Sequence, residues 1–180
     1  MCRTSCDVIW RRTAIRRTMN NRERRQNRVA AFIHDVWNCG REEMVGGYIA
    51  KNYTVHHDPG DPWDGQILNV ADFIARLKIC RAPFPDQRFD IQNMCVNDDA
   101  VTICWLWEAT QAGDLPDFPA TGQRIRMSGA THYLFDFEDK ISGHWQVTDR
   151  LGVFQQLQKN GSITRALSGS RRDGSATGAR

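Results

Sequence analysis

The chain has 180 residues, 41% hydrophobic and 25% charged, with a net charge of +3. That length suits one domain with tails, and no apolar run approaches the ~20 residues of a membrane-spanning helix. Residues 1–28 hold nine Arg against Asp7 and Glu23, whereas 29–158 hold ten basic and eighteen acidic residues, so the body lacks the basic patch of a nucleic-acid binder.

Residues 1–18 carry no periodic apolar face. Their Arg-rich, acid-poor composition fits either a mitochondrial presequence or an upstream extension ahead of Met19; on both readings the segment lies outside the fold. From Asn21 the spacing of Val29, Phe32, Ile33, Val36 and Trp37 predicts a helix, stopped by Asn38 and Gly40. A second short helix is expected over Glu42–Ile49. Tyr53–His57 then reads as a short strand ended by Asp58-Pro59-Gly60. Val70, Phe73, Ile74, Leu77 and Ile79 predict a third helix over 69–81, with Asn69 as cap and Pro83 and Pro85 beyond its end.

After Pro85 the period changes to two. Arg88–Val96 and Ala100–Thr110 read as a hairpin turning at Asn97-Asp98-Asp99. A long Gly/Pro/Asp loop leads to a second hairpin, Arg124–Phe137 with Lys140–Thr148, and Leu151–Leu157 forms a short terminal element. Residues 160–180 are expected to be a disordered basic tail, leaving a domain over 19–159. Helices followed by a run of strands indicate the α+β class. In the second hairpin the burial pattern favours a register in which Phe137 faces Ile141. It puts Trp145 on the apolar face and His132, His144 and Gln146 together on the polar face, with His132 opposite Gln146.

Six cysteines show no C-x-x-C pair and no zinc-ligand spacing. Cys80, Cys95 and Cys104 lie in apolar stretches as small hydrophobes, which predicts reduced thiols and a cytoplasmic protein. Gly46-Gly47 and Gly122 form no phosphate-binding pattern, and no nucleophile elbow is present. Trp105 and Trp107 alternate with Val101 and Ile103 on one strand face; with Trp145 they read as core or oligomer interface, or as the lining of a pocket for an aromatic ligand.

The order FIHDVWNCG, VHHDPG, FPDQRFDI, PATGQRI and GHWQVTDRLGVFQQL resembles the SnoaL-like polyketide cyclases over about residues 20–158. The resemblance implies the nuclear-transport-factor-2-like fold, a cone of curved antiparallel sheet wrapped around N-terminal helices with the site inside. It also implies cofactor-free acid/base chemistry without a metal, intramolecular aldol closure of a hydrophobic polyketide-like substrate, and a homodimer or homotetramer built through the sheet. His132 matches a histidine of the family's penultimate strand, and with Asp149 at the end of the last strand it forms the expected catalytic pair. For Asp149 the alternatives are a helix cap or a partner of Arg150. His56 and His57 alternate, so at most one enters the pocket, and the family pattern favours His57. His57, His144, Gln146, Trp145 and Trp105 are the expected substrate-binding residues. Two departures stand out: Asp139 occupies the usual glycine of the last hairpin, and Gln146 occupies a position where such cyclases often carry Asp. An amide exchanges no proton near neutral pH. That leaves a non-catalytic binding or oligomerisation module, or an isomerase or dehydratase, as alternatives.

Overall fold

Alternating burial along one long strand sets the architecture. Val101, Ile103, Trp105, Trp107 and Ala109 are buried on one face of Ala100–Thr110, as their spacing predicts, and helices cover that face. The computed structural model describes residues 21–170. The first helix, α1, covers 21–32 and runs on into a π-helical turn, Ile33–Asn38. A 3₁₀ turn, Glu42–Met44, leads into α2, Val45–Tyr48, and then β1, Ile49–His57, which is longer than the strand expected from the sequence. The two-residue strand β2, Ile67–Leu68, is too short to carry a period. Helix α3, Val70–Arg81, opens on a capping box in which Asn69 accepts from the Asp72 N–H and the Asp72 carboxylate accepts from the Asn69 N–H. Strands β3, Arg88–Val96, β4, Ala100–Thr110, β5, Arg124–Phe135, and β6, Ile141–Thr148, follow.

The sheet order is β2-β1-β6-β5-β4-β3. It is antiparallel except for one parallel pair, β1 with β6, a feature the all-antiparallel expectation missed. The inner face closes on an aromatic cluster: Phe73 meets Tyr53 at 4.9 Å between ring centroids and Phe32 at 6.0 Å, and Phe32 meets Tyr133 at 6.0 Å. Helix α4, Arg150–Ser170, is far longer than the element expected at Leu151–Leu157 and extends past residue 159 into the segment read as a disordered tail. Gly161 costs such a helix only about 1 kcal/mol and does not end it. The expectations for 1–18 and 171–180 lie outside the described residues. No described helix is long and apolar enough to cross a membrane.

The register of the last hairpin differs from the expected one. The Asp136 carboxylate accepts from the Glu138 and Lys140 N–H groups, and the Asp136 N–H bonds Lys140 O, closing a tight turn that ends β5 at Phe135. Phe135, not Phe137, therefore faces Ile141, and Phe137 stands exposed at the tip. Between Phe135↔Ile141 and Leu134↔Gly143 the register shifts by one residue, so Ser142 bulges out of the ladder. The bulge lets Ile141 and His144 both face inward, which an unbroken strand forbids. His132 consequently pairs with Trp145, and Thr131 pairs with Gln146. At the turn Asp139 adopts φ 59°, the conformation glycine usually supplies, and ion pairs from Arg24 and Arg25 of α1 hold its carboxylate there.

Candidate active site

Between α1, α3, the start of α4 and the inner sheet face lies a cavity of about 330 Å³. One wall is aromatic: Phe84 packs edge-on against Trp107, and Phe89 against Trp105, each at 5.0 Å. The other wall is polar and continuous. The Trp105 Nε1–H donates to Thr131 Oγ1 at 2.8 Å, and the Thr131 hydroxyl donates to Gln146 Oε1 at 2.7 Å. Gln146 Nε2 in turn donates to Asp58 Oδ2 at 3.0 Å. Asp58 Oδ1 accepts from Arg150 Nη2 at 2.7 Å, while Arg76 Nη2 lies 3.5 Å from Oδ2 and donates to Asp61 at 2.6 Å. His144 bridges inward: its Nδ1 lies 2.7 Å from Tyr53 Oη, and its Nε2 is 3.8 Å from Asp58 Oδ2.

Burial decides the charge states. It pushes the His144 imidazole below its ordinary value, only partly opposed by Asp58, which leaves His144 neutral and able to accept a proton at neutral pH. Burial pushes the Asp58 carboxyl up, but His144, Arg150 and Arg76 outweigh it and hold it below the usual carboxylate value. The Tyr53 phenol is driven well above its ordinary value, chiefly by burial, and stays protonated. Arg76 is buried, lies over the Trp37 ring at 5.3 Å, and its Nε has no hydrogen-bond partner.

Of the residues expected at the site, His144, Gln146 and Trp105 line this cavity. Four do not. His132 lies on the outer sheet face, bonded at 2.7 Å to Thr102, because it alternates with the inward Thr131 and Tyr133. The turn closing at Phe135 moves the register by two residues and the Ser142 bulge returns one, so its partner is Trp145 and not Gln146. Asp149 is exposed and caps α4 through the Gly152 N–H at 2.8 Å, the alternative role weighed for it. A register shift between Val55 and His57 cancels the expected alternation, so His56 and His57 both stack on Trp145, which is half exposed outside the cavity. Cys95 and Cys104, read as small hydrophobes within apolar stretches, are exposed, whereas Cys80 lines the cavity with its thiol pushed up by burial. Among the described residues no three His, Cys, Asp or Glu are arranged to hold a metal ion.

Tyr53, Asp58, Arg76 and Arg150 were not singled out from the sequence. Arg76 did leave a signal: it sits between Phe73 and Leu77 on the apolar face of α3, where a charge needs a buried partner. Asp58 looked like part of a strand-ending turn, and nothing local distinguishes the two roles.

The family model for SnoaL-like polyketide cyclases matches residues 27–157, most of the chain and every element that builds the cavity. The chain belongs to the SnoaL-like polyketide cyclase family. A polyketide cyclase candidate of known structure from Acidithiobacillus ferrooxidans is 51% identical to this SnoaL-like chain, over 76% of this chain and 95% of that one, with a TM-score of 0.73. A SnoaL-like polyketide cyclase from Agrobacterium tumefaciens is 21% identical, over 74% and 97% of the two chains, with a TM-score of 0.61. AclR, a hydroxylase candidate from Streptomyces galilaeus, is 17% identical over 77% and 87%, with a TM-score of 0.65. These last two share the fold and carry no further inference about activity. No curated protein matches the chain.

Proposed function

We propose that the protein is a cyclase-type enzyme that moves a proton next to a carbonyl of a hydrophobic, polyketide-like molecule and closes a ring by intramolecular aldol addition. His144, neutral beside the ionised Asp58 and donating its Nδ1–H to Tyr53 Oη, removes the proton through Nε2, and the enolate carbon attacks a second carbonyl of the same molecule. The new alkoxide takes the proton back from the imidazolium, so nothing is gained or lost overall. Asp58 stabilises the imidazolium in between, and the Arg76 guanidinium faces the oxygen on which charge develops. The aromatic wall orients the apolar body and excludes water. The observation that carries this reading is the buried Tyr53–His144–Asp58 chain on the cavity wall. It also answers the Gln146 departure, since a carboxylate lies 3.0 Å from that amide on Asp58. His132 and Asp149 have no part in this mechanism.

The test uses β-tetralone, a bicyclic ketone with acidic α-hydrogens, and follows deuterium exchange in heavy water by NMR. The protein should accelerate exchange, and His144→Ala should lose about 10²–10⁴ of that acceleration. His132→Ala should lose none; the reverse pattern would return the base to His132. A binding module without turnover is the second reading, favoured by Gln146 itself, and it predicts bound β-tetralone with no accelerated exchange.

The same proposal includes a dimer through the outer sheet face, supported by Trp145, Val147 and Leu106, all exposed there.

A further inference from the structure

The polar wall of the cavity has more hydrogen-bond donors than acceptors. Both Asp58 oxygens are occupied, one by Arg150 and the other by Gln146 with Arg76 close by. Asp61 is taken by Arg76 and by the Trp63 N–H. Against this, the buried Arg76 Nε has no partner, and Arg150 uses one of its five N–H donors on Asp58 and none on any other described residue. A ligand that completes this wall brings acceptors.

Position singles out Arg150. Among the residues that line the cavity only Ile79, at 59% exposure, and Arg150, with 42% of its side chain exposed, reach well into solvent, so the two mark the mouth. One is apolar and the other is the mouth's charge. The arginine is also held in place. Gly60, at φ +88°, lets the side chain lie across the turn after β1: a Cβ there would stand 2.9 Å from Arg150 Cδ. Its guanidinium is thus anchored through one N–H to Asp58 while the others remain free for a second, planar pair of oxygens, the group that guanidinium geometry suits best.

We propose that Arg150 is a specificity-determining residue, the mouth anchor for a carboxylate carried by an aromatic or polycyclic substrate whose ring body lies against Trp105 and Trp107. The inference rests on the reading of this cavity as the substrate site, but not on the identity of the base.

The test compares two probes of one shape, naphthoate and its methyl ester, titrated against the full chain by quenching of tryptophan fluorescence. The protein should bind the acid more tightly than the ester. Arg150→Gln should weaken the acid by about tenfold or more, the worth of a charge-assisted hydrogen bond, and leave the ester unchanged. Arg150→Lys should keep part of the preference. Equal weakening of both probes would reduce Arg150 to a structural partner of Asp58, and an unchanged acid affinity in Arg150→Gln would remove it from recognition altogether. Failure of the protein to bind either probe would also overturn the proposal. His144→Ala should retain the preference for the acid, so a failed exchange assay with that preference intact tells against the acid/base mechanism and not against the anchor.

Discussion

Asp58 and His144 occupy an interior where each charge state is set by neighbours brought from four elements: Tyr53 of β1, Arg76 of α3, Gln146 of β6 and Arg150 of α4. The stability consequence has a definite sign. His144 is held below its ordinary 6.5, so the unfolded chain takes up this proton more readily than the folded one. Its contribution is complete above about pH 6.5 and is lost as pH falls toward the folded value. Asp58, held below 3.8, adds a contribution present above that pH and lost in stronger acid. Urea midpoints should therefore decline between pH 7 and 5, and His144→Gln should flatten that decline. An unchanged slope would show that other groups govern acid sensitivity. Phe73 at 4.9 Å ties the same pair to the core, since it supports the Tyr53 ring that meets His144.

At the scale of elements, the β5–β6 pair does most to shape the cavity. Its inner residues run Gly129, Thr131, Tyr133 on one strand and His144, Gln146, Thr148 on the other, each pair directly opposed. Gly129 is the position without a side chain, and Trp105 occupies the space: a Cβ at 129 would stand 2.5 Å from Trp105 Cζ2 and 2.7 Å from Val147 O. The indole of β4 is seated by an absence on β5, and its Nε1 then reaches Thr131. Gly129→Ala should push Trp105 into the cavity or part the strands, at a cost of about 1–3 kcal/mol as for other overpacked cores. Denaturant unfolding measures the loss, and the near-ultraviolet tryptophan signal reports the displacement; a variant with wild-type midpoint and spectrum would refute the packing argument. Much of this architecture was legible in sequence. The Asn97-Asp98-Asp99 turn, both strands beside it and the Asn69 cap all fall where local patterns predict. Those features depend on neighbours within a few residues. The Ser142 bulge does not, because it trades a lost ladder bond for inward burial of both Ile141 and His144.

At the scale of the whole molecule, two faces of one sheet have different tasks. The inner face closes over the core and cavity, and the outer face carries Trp145 and Val147 on β6 with Leu106 on β4, at 50%, 62% and 50% exposure. Apolar side chains gathered on one sheet face are a common mark of an interface. Sedimentation velocity should show a dimer, and a Trp145→Ser, Val147→Lys double variant should sediment as a monomer with an unchanged far-ultraviolet spectrum. A wild-type monomer at tens of micromolar would overturn this assignment. In the dimer, His56 and His57, stacked on Trp145, would lie at the edge of the contact.

The sequence alone determined the α+β class, most element bounds, the buried stripe through Trp105 and Trp107, and the family. Each follows from short-range periodicity, turn chemistry, or the order of motifs along the chain. Tertiary structure alone decided which polar residues meet. A one-residue bulge at Ser142 turned His144 and Gln146 onto the inner face beside Tyr133 and Thr131 and away from His132, which stays outside, and a second irregularity at the end of β1 turned His57 away and brought Asp58 in. Strand periodicity has a memory of two residues, so one inserted residue reverses every side chain beyond it. The cost of that insertion is recovered only in contacts with β1, α3 and α4, which no local window of the chain contains.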